Sequence, residues 1–371
     1  MKRYNHLFAQ IVSMENLKLA DQRARRRKQH THGVKSHDKH REEHLQALQQ
    51  ALIHKTYCTS PYDVEPIFER KRRTLYKLPY YPDRIVHHAL MNVLEPLWKR
   101  TLTHNTYSCI KGRGIEACAK KVDSIIRSFA EQPLYCLKID ICKFYPSINH
   151  TILKQIVRRK IKDKDALWLI DEIIDSAVMD YEGNPLTPEA LATLHPDDAH
   201  GLPIGNHPSA YMANLYLSYF MHYANEQLGI EVKEALSLNQ LPQVPCTAYA
   251  DDIVFFANSK PVLHEVLRLT RSYLDTKLRL RIKPNYQIFP IAHNQFDRHG
   301  RALDYVGYKF YRTHRLMRKR IKQALCRRVA QLHHRLRALP HRTMHQIVAP
   351  WLGWAMHSQS LHLIKTLQLT F

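Results

Sequence analysis

The chain has 371 residues, 44% of them hydrophobic, and carries 56 Lys and Arg against 33 Asp and Glu for a formal charge of +23. That apolar content argues for globular cores and against a disordered chain, and the positive excess predicts a polyanionic partner, nucleic acid before an anionic membrane. No apolar run reaches the ~18 residues of a spanning helix, and Met1-Lys2-Arg3-Tyr4-Asn5-His6 lacks the apolar core of a signal peptide, so a soluble, cytoplasmic protein with no membrane partner is expected.

Residues 7–53 read as mostly helical, interrupted by the basic run Arg23-Ala24-Arg25-Arg26-Arg27-Lys28, which is either a solvated helix face or a phosphate contact. Residues 57–80 read as extended, with Pro61, Pro66 and Pro79 as breaks. They contain Arg70-Lys71-Arg72-Arg73. Alternation along a strand would put Lys71 and Arg73 on one face, as a clamp for a triphosphate or a charged guard on an edge strand. Residues 82–100 have the apolar spacing of an amphipathic helix (Ile85, Ala89, Leu90, Val93, Leu94, Leu97) with Pro82 near its start. A second helix is predicted over 115–130. Leu134-Tyr135-Cys136-Leu137-Lys138-Ile139-Asp140 reads as a short buried strand that ends in an acid.

Residues 151–178 predict two more helices. The polar stretch 180–200, with Pro185, Pro188 and Pro196, reads as an inserted loop with a short helical turn near Pro188-Glu189-Ala190. Gly201-Leu202-Pro203-Ile204-Gly205-Asn206-His207-Pro208-Ser209 is a turn-rich loop opening a long helix, with Ser209 as its cap. Its glycines would let a ligand approach backbone. Val244–Ala248 and Val254–Ala257 read as strands flanking Tyr249-Ala250-Asp251-Asp252-Ile253. Residues 302–311 read as a β-hairpin arm. From Arg312 on, the tail is basic and helical (Arg315, Arg318, Lys319, Arg320, Lys322, Arg327, Arg328), as expected of a helix laid along nucleic acid. The seven cysteines are dispersed without a C-x-x-C pair, which predicts reduced thiols. The 25 histidines show no zinc spacing, and the pairs His87-His88 and His333-His334 read as surface or packing residues.

Two acids at a hairpin tip repel each other and are costly to desolvate unless a cation compensates. Hard oxygen donors of this kind suit Mg²⁺. Taken alone, Asp251-Asp252 could be an acidic surface turn, and Asp140 could be a helix N-cap. If their strands are neighbours, Asp140 and Asp251 could bridge two divalent ions about 3.5–4 Å apart, the arrangement used in phosphoryl transfer.

The order of these segments resembles the reverse transcriptases: a strand ending in Asp140-x-x-x-Phe144-Tyr145, then Gly201-Leu202-Pro203-Ile204-Gly205-Asn206-x-x-Ser209, then Tyr249-Ala250-Asp251-Asp252. Pro82-Asp83-Arg84-Ile85-Val86-His87-His88 and Tyr107-Ser108-Cys109-Ile110-Lys111-Gly112-Arg113-Gly114 look like the fingers of group II intron-related bacterial enzymes. Tyr305-Val306-Gly307-Tyr308 resembles their primer-grip strand. Trp351-Leu352-Gly353-Trp354-Ala355-Met356-His357 resembles a thumb motif of diversity-generating retroelement enzymes, the group to which the chain is most similar, together with related phage-defence enzymes.

The resemblance implies an α+β right-hand polymerase: an N-terminal helical extension and fingers over 1–133, an antiparallel palm sheet within 134–310 (carrying finger helices and the inserted loop in 151–200), and a basic helical thumb over 311–371. It implies an RNA-directed DNA polymerase that extends a DNA or RNA primer on template RNA with dNTPs. Asp140, Asp251 and Asp252 would be the catalytic, metal-holding residues for two Mg²⁺ ions, with Mn²⁺ as a substitute. Lys71, Arg73, Tyr145, Ile204, Gly205 and Lys283 would bind the nucleotide, Tyr145 excluding a 2′-hydroxyl. Gly307, Tyr308, Arg315, Arg318, Lys319 and Arg320 would contact nucleic acid. An aliphatic residue at Ile204, where many retroviral relatives have Gln, is typical of diversity-generating enzymes and implies error-prone copying, although those enzymes usually read Ser-Gln where this chain has Ser209-Ala210. No endonuclease or HNH-like pattern follows the thumb, so autonomous retrohoming is not expected. The implied settings are diversification of a target gene, with a small accessory protein or a partner reverse transcriptase, and cDNA synthesis in phage defence. An inactive RNA-binding scaffold is the contrasting class.

Overall fold

The computed structural model describes residues 3–68, 72–335 and 341–367. Arg70 and Lys71, and the side chains of His333 and His334, lie outside the described residues. Four helices come first: α1 (Phe8–Ile11), α2 (Met14–Ala24), α3 (His32–Asp38) and α4 (Arg41–Ile53). The strands β1 (Asp63–Phe68) and β2 (Arg72–Lys77) follow, then a kinked turn, Tyr80–Arg84, that leads into α5 (Ile85–Lys99). Next are β3 (Thr106–Tyr107), α6 (Ile115–Ser128), β4 (Tyr135–Asp140), α7 (His150–Arg158), α8 (Lys164–Asp175), α9 (Pro188–Thr193), α10 (His207–Glu226) and α11 (Leu228–Ala235). The chain continues through β5 (Cys246–Tyr249), β6 (Asp252–Ala257), α12 (Lys260–Leu278), β7 (Gln287–Pro290), β8 (Leu303–Tyr305), β9 (Tyr308–Phe310) and β10 (Arg315–Met317). It closes with α13 (Lys319–Arg335), α14 (His341–Met356) and α15 (Leu361–Thr366).

These elements fall into two compact units that interleave along the chain. Unit 1 holds residues 1–104, 141–223 and 271–283; unit 2 holds 105–140, 224–270 and 284–371. The sequence-based boundaries at 133/134 and 310/311 both fall inside unit 2.

In unit 1, Ser13 caps α2 by accepting from the Asn16 N–H, which satisfies one of the orphan donors of the first turn. The helix buries Leu17, Ala20, Asp21 and Ala24. Asp21 is fully buried. It accepts from Arg25 (2.8 Å), Arg41 (2.7 Å) and the Tyr80 hydroxyl, so one carboxylate joins α2, α4 and the turn before α5. The basic run is thereby partly spent on the fold, since Arg25 also pairs with Asp38 at 2.7 Å. β1 and β2 form a two-stranded antiparallel sheet. Pro66, expected as a break, lies within β1 opposite Thr74, where a missing donor is tolerated because both strands are edges. α10 begins at His207, so Ser209, expected to cap it, is instead buried in its first turn.

Unit 2 is built on a five-stranded sheet of order β3-β5-β6-β4-β7. β4, β5, β6 and β7 pair antiparallel, whereas β3 pairs parallel with β5. The sheet is therefore mixed, a correction to the expected antiparallel palm sheet. The two-residue β3 arrives along the edge from a loop and has no hairpin to force it antiparallel. Beneath the sheet, α6 contributes Cys118, Ala119, Val122, Ile125 and Ile126 to a core shared with Cys136, Val254, Phe256 and the aromatic residues Tyr305, Tyr308 and Phe310. The expected arm over 302–311 is present as β8–β9, but β10 adds a third strand. The helical reading of the tail therefore fails at Arg315–Met317 and holds from Lys319. Leu325, Val329, Leu332, Val348, Leu352, Ala355 and Ile364 pack α13, α14 and α15 together. All seven cysteines are free, and no helix among the described residues is long and apolar enough to cross a membrane.

Candidate active site

β4 and β6 are apolar, β-branched and aromatic over most of their length, and both are central in the sheet. Apart from Lys138 within β4, their charged residues lie at the strand ends. Their register pairs Ile139 with Ile253 and, one step on, Asp140 with Asp252. β5 pairs Tyr249 with the same Asp252, so Ala250 and Asp251 form a two-residue hairpin tip beside it. Ala250 carries φ +54°. A first tip residue with positive φ is normally Gly or Asn, and an alanine there stores of the order of 1 kcal/mol. Strain of this kind collects at functional turns.

The Asp252 side chain is 32% exposed, and its two oxygens differ. Oδ2 lies 3.3 Å from Lys138 Nζ, while Oδ1 is sealed from solvent with no hydrogen-bond partner. Burial raises its carboxyl above the usual range; Lys138 offsets part of this and Asp140 and Asp251 add to it, leaving it at about 6. Lys138 thus pairs with a carboxylate that has two others near it. Lys138 is also held by the Asp304 carbonyl at 2.8 Å, and the Tyr305 hydroxyl donates to the Asp252 backbone oxygen at 3.0 Å.

The chemistry of this donor set suits a hard divalent cation: carboxylate oxygens, one of them buried and lacking a partner. Among the described residues, no three His, Cys, Asp or Glu side chains converge closely enough to hold an ion by themselves.

The other predicted residues distribute as follows. In unit 1, Tyr145 is half-buried with its ring edge-on to Phe144 at 5.8 Å, and its carbonyl accepts from Leu202 N–H at 3.0 Å. The Ile204 carbonyl accepts from Tyr76 N–H at 3.0 Å. Gly205 has φ +113°, a backbone conformation that favours glycine, and a Cβ there would also crowd β2, 2.8 Å from Leu75 Cδ1 and 3.1 Å from the Tyr76 carbonyl oxygen. The fold thus brings the Tyr145 backbone, Ile204, Gly205 and the strand bearing exposed Arg73 into one neighbourhood. Lys283 ends the last segment of unit 1 and is half-buried.

In unit 2 the proposed nucleic-acid contacts separate. Lys319 and Arg320 are exposed. Arg318 pairs with Asp304, its Nε lying 2.6 Å from Oδ1. Arg315 is only 11% exposed, is bound to Glu116 (2.8 Å) and Asp123 (2.9 Å), and stacks over Tyr308 at 4.8 Å. Its environment is that of a core ion pair. Tyr308 is 2% exposed, and Gly307 (φ +86°) faces Trp354, whose ring would lie 2.2 Å from a Cβ at that position. Sequence reasoning passed over Lys138. The available signal was a lone cation in the apolar run 134–140, two residues before the acid and so on the same face of the strand.

Two comparisons bear on this geometry. Residues 66–309 match the family described as reverse transcriptase (RNA-dependent DNA polymerase). The chain is also similar to protein YkfC of Escherichia coli (strain K12), 22% identical over 275 residues, which span 69% of this chain and 66% of that protein. The matched family segment runs from β1 through β9 and includes both Asp140 and the 251–252 tip, and by that match the chain belongs to the reverse-transcriptase family.

Proposed function

We propose that the protein is an RNA-directed DNA polymerase that extends a primer with dNTPs on template RNA, using Asp140, Asp251 and Asp252 to hold two Mg²⁺ ions. The observation that carries this reading is the register of β4 on β6. It sets Asp140 opposite Asp252, next to the strained tip that bears Asp251. When bound, the ions would acidify the primer hydroxyl and offset the charge of the departing pyrophosphate. The protein's own part is positioning. Lys138 and Tyr305 fix Asp252 from its carboxylate and its carbonyl. Tyr145, Ile204, Gly205, Arg73, Lys71 and Lys283 would receive the nucleotide, Tyr145 screening the sugar. Lys319 and Arg320 would lie along the template–primer backbone, in a fingers, palm and thumb arrangement with the thumb beyond residue 310.

Copying is proposed to be error-prone, on the aliphatic Ile204. The biological setting is proposed to be a diversity-generating retroelement, with phage defence as the alternative role for the same chemistry. Primer extension on an RNA template with Mg²⁺ and dNTPs tests the chemistry. Asp251→Asn with Asp252→Asn should reduce product to background, and undiminished synthesis by this variant would remove the assigned site. Tyr145→Ala should admit ribonucleotides; unchanged sugar discrimination would take Tyr145 out of the nucleotide site.

A further inference from the structure

Unit 2 carries a second feature that the polymerase reading does not use. Between β7 and β8 the chain forms a closed loop with an exposed aromatic ring at its tip: Phe296 is 82% exposed. The loop is braced from within. The Asp297 carboxylate accepts from the N–H groups of His293 (2.7 Å) and His299 (2.8 Å), and Asn294 Oδ1 accepts from Phe296 N–H at 2.8 Å. At its base, Ala292 N–H donates to the Arg301 carbonyl at 3.0 Å. Gly300 permits that closure, because a Cβ there would lie 2.8 Å from Ala292 N. A large ring held in water by a preformed loop has little ordering entropy left to lose on binding.

Its neighbours favour a polyanion. Arg298, two residues after Phe296, is exposed, as are His293 and His299, while Arg301 at the loop base lies over the Phe289 ring. Thr313 donates to the His293 carbonyl through both N–H (3.3 Å) and hydroxyl (2.9 Å). That contact joins the loop to a cleft of about 390 Å³ lined by Lys120, Arg127, Tyr311, Arg312 and His314. The acids in the cleft, Glu116 and Asp123, are both bound to Arg315. Lys120 and Arg127 remain exposed. A protein-binding hot spot would be expected inside an apolar patch, whereas the residues next to Phe296 in sequence are polar or charged.

The location separates this surface from the carboxylates. Pro290, just before the loop, pairs with Tyr135 at the opposite end of β4 from Asp140. Five residue steps along a strand amount to about 17 Å.

We propose that the 293–299 loop and its adjoining cleft form a second nucleic-acid site, where an unpaired base stacks on Phe296 and the phosphates of a single-stranded segment lie along Arg298, Arg127 and Lys120. Aromatic platforms flanked by cations bind single strands in this way, whatever their sequence. The test uses the full chain without Mg²⁺ or dNTPs. Fluorescein-labelled oligo(U) and oligo(dT), with a blunt RNA duplex of the same length as control, are titrated against wild type, Phe296→Ala, Phe296→Trp, and Lys120→Glu with Arg127→Glu. Phe296→Ala should weaken single-strand binding about fivefold or more, with little effect on the duplex. Phe296→Trp should keep the affinity and gain a fluorescence component that is quenched by the oligonucleotide. The charge-reversed pair should bind more weakly and with a shallower salt dependence. Quenching by oligo(U) alone would make the ligand RNA; quenching by both would make it any single strand. Repeating the quenching in the Asp251→Asn, Asp252→Asn background should change nothing, so this site stands or falls apart from the polymerase assignment. Wild-type affinity in Phe296→Ala, with no quenching in Phe296→Trp, would overturn the proposal and leave the ring to a protein partner.

Discussion

Two aspartates, one in each unit, show opposite ways of placing a carboxylate inside a protein. Asp21 in unit 1 is fully buried, and every demand of its charge is met. Burial would raise its carboxyl, but hydrogen bonds from Tyr80, Arg25 and Arg41 outweigh this and hold it below its ordinary 3.8. Asp252 in unit 2 is less buried yet sits at about 6, because Lys138 does not balance burial together with Asp140 and Asp251. Compensation separates the two: Asp21 has its charge met and holds a fold together, whereas Asp252 keeps a raised pKa, as its proposed metal role would need.

The largest expected effect on the fold follows from this contrast. Asp21→Asn leaves Arg25 and Arg41 without a common anion and should cost about 3 kcal/mol or more, read as a lowered urea midpoint. Asp252→Asn removes surplus charge and should leave the midpoint unchanged or raised. Equal losses in the two variants would break the comparison. Within unit 2, Arg315→Ala strands Glu116 and Asp123 and should cost about 2–3 kcal/mol. Lys319→Glu with Arg320→Glu should leave stability alone, weaken template–primer affinity and flatten its salt dependence by about two ions.

The smallest effect is on pH dependence. In unit 1, burial first, and then neighbouring cations and histidines, lower His88 to about 4 and His87 to about 3. Below the unfolded value near 6.5, the unfolded chain takes up protons that the folded one refuses, so stability should fall as pH drops from about 6.5 towards 4. Asp21 acts in a lower window. Its depressed folded pKa gives stability that is present above about 3.9 and lost as pH falls through the folded value. His88→Gln should flatten only the upper part of a melting-temperature profile, and a profile unchanged between pH 7 and 5 would contradict the buried, neutral state of these rings.

What could be read in advance follows the range of the forces involved. β4, β5 and β6 were legible because central strands must be apolar, and their terminal acids stood out against that background. β10 was not, because Arg315-Leu316-Met317 is a strand only by virtue of pairing with β9, and its arginine looks like any cation of the tail until Glu116 and Asp123 meet it. β3 is two residues long and carries no periodicity. The Asp21 hub left one trace, the i,i+4 spacing of Asp21 and Arg25; Arg41 and Tyr80 come from elsewhere in the chain. The cation bound to Asp252 was equally hidden, since Lys138 reads as an exposed strand residue until β6 is laid beside it. The neighbourhood of Arg73, Ile204 and Gly205 is set by β2 donating a hydrogen bond to the 201–209 loop, a pairing that no local pattern announces.

The short strand β8 reaches Asp252 by two routes: Asp304 holds the lysine that holds the carboxylate, and the Tyr305 hydroxyl holds the carbonyl of the same residue. Gly307, wedged against Trp354, fastens the next turn of that arm to α14. The placing of Asp252 is therefore shared with the arm, and a substitution at residue 304 or 305 removes support from an acid that neither of them resembles in sequence.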